Sequence, residues 1–315
     1  MSSPFPLLRL PGVVLCEVFK SLSIGEKIKL SFCSKKISTQ INNARLYSQK
    51  VIVDLDMLNR KIRVRSENGK DTFLVSIHLD FWENHNSNTE QLSIKFCNVR
   101  VMSMRLRIRT FYENHQEEFL SVIRHLLKMF RCKISTSDSC FASDLFQPTI
   151  SVLFDLQLEF KTLCIRLDGV KYRNLLWNQI SRYLGFVECL NISSSFDIEF
   201  TLVFTSWPQE IIIMRSAWFT LKSLLACASF IITLYDSHLE NKDMDEILKN
   251  WKNGGLPNLK RLAIDSLSFE DNGEQILGMN LNELDGMVLQ SDDGLKMATI
   301  ELGPHRIEMS VTSYE

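Results

Sequence analysis

LKRLAI, Leu259–Ile264, decides how the second half of this chain folds: Leu259, Leu262 and Ile264 are large and apolar, while Lys260, Arg261 and Ala263 between them are charged or small. Such a pattern is what a strand with one buried side requires. Working outward, the same motif returns as Leu163-x-Ile165-x-Leu167, Val187-x-x-Leu190-x-Ile192, Ile211-x-Ile213 and Phe230-x-Ile232-x-Leu234. The intervals are irregular, roughly 20 to 30 residues, the period of short stacked repeats.

Amphipathic helical stretches fill the gaps. Tyr172 to Leu184 carries Leu175, Leu176, Gln179, Ile180 and Tyr183 at helical spacing. Asp243 to Trp251 carries Ile247, Leu248 and Trp251 and stops at Gly254 and Gly255, residues a helix C-terminus favours. Strand, helix, strand, repeated, predicts an irregular β/α solenoid similar to leucine-rich repeats, in which each unit buries its apolar side against its neighbours. Asp293-Gly294, within Leu289–Leu302, predicts a closing β-hairpin.

Before residue 150 the pattern differs. Val51–Leu58, Lys61–Ser66, Phe73–Phe81 and Arg105–Phe111 alternate with period two and are expected to be antiparallel strands, and Glu113–Phe130 returns to a helical stripe. Arg63 and Arg65, and Arg105, Arg107 and Arg109, alternate with apolar residues. They read as the solvated face of an amphipathic sheet, with a site for acidic substrates as the alternative. Upstream, Pro11 suits the first turn of a helix whose stripe is Val14, Leu15, Val18, Phe19 and Leu22. Ser23 with Glu26 has the form of a capping box opening a second helix, and Ser34 is placed to cap a third. Three helices this short need a partner to cover their apolar surface.

Composition narrows the function. The chain has 315 residues, 45% hydrophobic and 23% charged, with 36 Lys plus Arg against 37 Asp plus Glu and a net charge of −1. No global field draws it to nucleic acid or acidic membranes. The eight cysteines form no close pair and read as reduced core thiols. Arg9, Pro11 and Glu17 interrupt any signal-peptide core, and the apolar run Trp218–Tyr235 carries Lys222, so a buried helix feeding a buried strand is expected there and not a membrane span. A cytoplasmic or nuclear protein is the expectation. Cysteine, histidine and glycine spacings offer no metal-ligand set, no phosphate-cradling loop and no nucleophile elbow, so no metal, cofactor or catalytic residue is assigned. Asp243, Asp245 and Glu246 read as helix N-terminal charges.

Phe5 to Ile41, FPLLRLPGVVLCEVFKSLSIGEKIKLSFCSKKISTQI, resembles the F-box: Leu10-Pro11, the apolar helix Val14 to Phe19, Leu22-Ser23, Ile28 to Phe32 and Ser34-Lys35 follow that family's order. Val13 stands where many F-boxes have an acidic residue, and Ile37 where many have tryptophan. Leu234 to Ile264 resembles the F-box-associated domain of the large nematode families, with its helix ending in Trp251-Lys252 before Pro257-x-Leu259-x-x-Leu262. The resemblance implies an α+β chain in three parts: an F-box at 5–45, a strand-rich region with one long helix at 46–149, and a repeat-like recognition domain at 150–315. It also implies a non-catalytic receptor of a ubiquitin ligase, bound through a Skp-type adaptor to a cullin and holding an unknown protein substrate. By match to the motif, adaptor contact falls to Leu10, Pro11, Val14, Leu15, Val18, Phe19, Leu22, Ile28 and Leu30. The outward neighbours of the repeat strands, Arg166, Asn191 and Arg261, are the candidate substrate contacts, with Ala263 beside them. An F-box-independent interaction scaffold is the alternative.

Overall fold

The computed structural model describes residues 9–33, 35–43, 51–79, 91–94, 99–104, 107–112, 115–130, 132–137, 143, 145–166, 177–178, 180–193 and 202–313. The chain forms two compact units, Met1–Leu153 and Phe154–Glu315.

In the first unit, three helices, α1 (Gly12–Ser21), α2 (Ile24–Cys33) and α3 (Lys35–Asn43), precede strands β1 (Val51–Asp56), β2 (Lys61–Ser66), β3 (Thr72–Leu79), β4 (Gln91–Ile94), β5 (Val99–Met104) and β6 (Arg107–Tyr112). Helix α4 (His115–Met129) and strand β7 (Cys132–Thr136) follow, then α5 (Phe146–Asp155). The strands lie in the order β7-β1-β2-β3-β6-β5-β4. The expectation of a purely antiparallel region needs correction, because β7 pairs parallel to β1 and β6 parallel to β3. Both pairings join strands distant in sequence, whose connections are long enough for a crossover. Alternation has the same period in either direction, so the pattern alone cannot distinguish them.

One side of β1, β2 and β3 is apolar and closed: Val51, Val53, Leu55, Ile62, Val64, Phe73 and Val75 are at most 2% exposed. Helix α2 lies against this sheet, with Gly25 directly beside the Phe73 ring. The buried stripe of α4, Phe119, Val122, Ile123 and Leu126, completes the core.

In the second unit, β8 (Phe160–Ile165), β9 (Val187–Ser193), β10 (Glu210–Met214), β11 (Ile231–Ser237) and β12 (Arg261–Ser266) are adjacent and parallel. Then β15 (Arg306–Ser313), β14 (Lys296–Gly303) and β13 (Val288–Gln290) continue the sheet antiparallel. Short helix α6 (Leu221–Leu225), capped by the Thr220 side chain, leads toward β11, and α7 (Asn241–Lys252) lies between β11 and β12. No helix among the described residues is long and apolar enough to cross a membrane.

The expected helix over Tyr172–Leu184 lies partly outside the described residues; its C-terminal part is a 3₁₀ segment, Ser181–Phe186. Helix α7 begins with a capping box in which Asp243 Oδ2 accepts from the Glu240 N–H at 2.9 Å, and it buries Met244, Ile247, Leu248 and Trp251. It ends at Lys252, and the chain leaves it through Gly254, whose φ of 87° suits glycine, and Gly255, where a Cβ would collide with the Asn250 amide.

Register in the parallel run stacks the repeat residues into two ladders. Leu163, Leu190, Ile211, Ile232 and Leu262 face one another in turn, and so do Ile165, Ile192, Ile213, Leu234 and Ile264. All ten are at most 1% exposed. Buried serines close two of the strand ends. Ser237 Oγ accepts from the Leu239 N–H at 3.2 Å, and the Ser266 hydroxyl donates to the Leu239 carbonyl at 2.7 Å. Polar groups in so buried a turn need such partners.

Candidate functional site

Two surfaces carry the residues singled out from the sequence. The first is the helical segment. Pro11 precedes α1, and its carbonyl accepts from the Leu15 N–H at 2.9 Å, the helix-opening role its fixed φ suits. The Ser23–Glu26 capping box forms: the Ser23 N–H and hydroxyl both donate to Glu26 Oε2, at 2.8 and 2.7 Å, and the Ser23 oxygen accepts from the Glu26 N–H at 3.2 Å. Those hydrogen bonds from Ser23 hold the Glu26 carboxyl below its usual range. A second carboxylate reinforces the same helix start, since Asp71, on the turn before β3, accepts from the Ile24 N–H at 2.7 Å. Lys27 is fully buried. Burial lowers its pKa, and the charge of Asp71 opposes that effect.

Farther along α2, the Ser31 hydroxyl lies 2.9 Å from His125 Nε2, and Phe32 stacks on the His125 ring at 4.8 Å. Helix α2 is thus fastened to β3 and α4. Ser34 lies outside the described residues.

The nine residues matched to the motif separate by burial. Leu15 (5%), Phe19 (0%) and Ile28 (0%) are packed inside the chain. Leu10, Val18, Leu22 and Leu30 are half-buried, and Pro11 is exposed. Val14 is 45% exposed, and Val13, which was not singled out as a contact, is 78% exposed. Two adjacent exposed valines on one short helix are the apolar surface this segment offers. The signal available was Val13 itself, an apolar residue at a position where the pattern has an acidic one.

The second surface is the strand face opposite the two ladders, where alternation places Thr162, Cys189, Glu210, Ile231 and Arg261 in one row and Cys164, Asn191, Ile212, Thr233 and Ala263 in the next. Asn191 is half-buried there, and its Oδ1 is buried without a hydrogen-bond partner. A buried amide oxygen left unpaired is costly unless water or a bound group supplies a donor. Arg261 is exposed but committed: its Nε lies 2.6 Å from Glu308 Oε1, while Arg306 reaches Glu308 Oε2 at 3.2 Å and Asp265 Oδ1 at 3.1 Å. The hydrogen bond from Arg261, with help from Arg306, holds Glu308 below the ordinary carboxylate range. Arg166 is exposed at the end of β8.

Ala263 is not on open surface as expected; it is 0% exposed. Its single methyl lies in register between Thr233 of β11 and Glu308 of β15, whose longer side chains flank it on both sides. At the strand entries, Lys161 pairs with Glu188 at 2.7 Å, and Lys260 lies 5.2 Å from the centre of the Phe230 ring.

Burial, with the Glu210 charge adding to it, pushes the Cys189 thiol up to about 12, and burial pushes Cys132 to about 12, the reverse of what a nucleophilic thiol needs. Among the described residues no group of three or more His, Cys, Asp or Glu side chains is placed to hold a metal ion.

Comparison with known proteins agrees with this division. Residues 7–49 match the F-box domain, and residues 199–264 match the F-box associated family. The chain thus carries one segment similar to each of these two families, in that order. It is similar to an uncharacterized protein of Caenorhabditis elegans, 22% identical over 286 residues, which is 87% of this chain and 65% of that protein. The chain thus spans slightly under two thirds of that relative's length. No solved structure matches it.

Proposed function

We propose that this protein is a non-catalytic substrate receptor of a Skp–cullin–F-box ubiquitin ligase, held to a Skp-type adaptor by its helical segment and to a target protein by its second unit. The observation that carries the reading is the exposure of Val13 and Val14, at 78% and 45%, on a helix whose Leu15 and Phe19 are packed away. The adaptor surface comprises Leu10, Pro11, Val13, Val14, Val18, Leu22 and Leu30. Leu15, Phe19 and Ile28 set the shape of that surface from beneath. The receptor's contribution to ubiquitin transfer is proximity, because a substrate lysine held near the charged enzyme reacts in an effectively one-body step.

The parallel run β8–β12 acts in this reading as a short leucine-rich-repeat-like solenoid, with Asn191, Arg166 and Arg261 beside the target. Asn191 supplies an acceptor to it, and Arg261 acts through its pairing with Glu308. The protein works in the cytoplasm or nucleus.

Coexpression with a Skp-type adaptor tests the proposal. The wild-type chain should copurify with it, and Val13→Asp with Val14→Asp should lose it while keeping its thermal transition. Adaptor capture undiminished by that pair would overturn the assignment. A second reading, a scaffold that never meets the adaptor, is favoured by the fastening of α2 to β3 and α4 through Asp71 and His125. It predicts a monodisperse free chain with no adaptor affinity.

A further inference from the structure

The two cationic strands noted in the sequence find no use in the adaptor or repeat surfaces, yet one of them lines a depression of about 460 Å³ on the first unit. Its floor is a register row across four strands: Ser135 of β7, Asp54 of β1, Arg63 of β2 and Leu74 of β3. Asp56, Lys61, Arg65 and Ser137 are among its walls, so three cations face two carboxylates.

One carboxylate is neutralised by a cation, and the other is held by a turn. Asp54 receives both Nε and Nη2 of Arg65, at 2.7 and 3.2 Å, a fork-to-fork pair. Asp56 accepts from the Asn59 N–H at 3.1 Å and from its side-chain amide at 2.9 Å, closing the turn that follows β1. Arg63 and Lys61 are exposed, and among the described residues neither has a hydrogen-bond or ion-pair partner. A solvated sheet face needs no concavity. Here Asp54 cancels Arg65, and Arg63 with Lys61 against Asp56 leaves one net positive charge above a depression that Ser135 and Ser137 also line.

We propose that this depression binds an acidic peptide segment, with Arg63 presenting its guanidinium fork to one carboxylate and Lys61 supporting a neighbouring one. The fork geometry suits a planar carboxylate, which a point charge matches less well. Three strand-to-strand steps span roughly 14 Å, room for a few extended residues. A whole-chain net charge of −1 argues against a nucleic-acid surface and for a local contact to a local acidic stretch. The site is independent of adaptor binding, so it stands or falls separately from the receptor assignment.

Fluorescence anisotropy on the full chain tests it, using a labelled eight-residue Asp/Glu peptide, its Asn/Gln counterpart, and a single-stranded oligonucleotide of equal charge. The acidic peptide should bind, with affinity falling as salt rises, and the neutral one should not. Arg63→Gln with Lys61→Gln should weaken binding about tenfold or more, the loss expected for one charge-assisted hydrogen bond, while Lys242→Gln on α7 leaves it unchanged. If the double variant does not fold, Arg63→Lys, which keeps the charge and loses the fork, should still weaken binding several-fold. Peptide binding that survives these substitutions, no binding at all, or an oligonucleotide held more tightly at the same residues overturns the proposal.

Discussion

Gly25 of α2 lies so close to Phe73 of β3 that a Cβ at position 25 would stand 2.5 Å from the ring Cδ2. The helix and the sheet therefore meet at a glycine, and the approach is fixed by the absence of a side chain. Elsewhere on a helix Gly→Ala gains up to about 1 kcal/mol. Here overpacking costs about 1–3 kcal/mol and should prevail. Gly25→Ala is expected to lower the thermal midpoint, and Gly25→Ala combined with Phe73→Leu should recover part of the loss. A raised midpoint for the single variant would show that the ring moves aside freely.

Burial separates neighbours on α1. Phe19 is 0% exposed and Val14 is 45% exposed. Phe19→Ala should therefore cost about 3–5 kcal/mol in urea unfolding, whereas Val14→Ala, truncating a side chain nearly half in water, should cost under about 1 kcal/mol. Adaptor capture should show the reverse sensitivity once unfolding has been taken into account. Equal unfolding costs would mean that α1 buries its other face instead.

Leu190 stacks between Leu163 on β8 and Ile211 on β10 and is itself fully buried. Leu190→Ala should cost about 2–5 kcal/mol, since neighbours held on both sides collapse poorly into the cavity. Ile231→Ala, on the opposite and half-buried face, should cost clearly less. Comparable losses at both positions would contradict the ladder arrangement.

The ladders were legible because the sequence keeps a large apolar residue at nearly every inward position, from Leu163 to Ile264. The column at the strand entries was only partly legible. Val187 and Leu259 are apolar there, but the equivalent buried places before β10 and β11 hold Pro208 and Ser229, which no hydrophobic pattern picks out. Strand direction in the first unit was hidden because alternation is blind to it, and β1 meets β7 across some 75 residues of chain that carry no pairing signal. In the helical segment the apolar stripe was visible, but the exposure of Val13 and Val14 depended on which face α2, α3 and the sheet would leave open. The bidentate pairing of Asp54 with Arg65 and the holding of Asp56 by the Asn59 turn, which leave Arg63 without an ion-pair partner among the described residues, appear only in three dimensions.

Acid should weaken the first unit through His125. Burial, with Lys128 adding to it, lowers this imidazole from its ordinary 6.5 to about 4, and the ring is held between Phe32 and the Ser31 hydroxyl. Below pH 6.5 the unfolded chain takes up a proton that the folded chain refuses until about pH 4. The unfolded state then binds more protons, so stability falls as pH drops through that window and is fully present above it. The whole contribution is at most about 3 kcal/mol. His125→Phe keeps an aromatic ring against Phe32 and removes the titrating group, and Ser31 retains its bond to the Ile28 carbonyl at 2.7 Å. Urea midpoints measured from pH 7 to pH 4.5 should decline steeply for the wild type and distinctly less for the variant. If the two slopes coincide, the acid sensitivity comes from other groups, and the packing of α2 against α4 does not depend on a neutral His125.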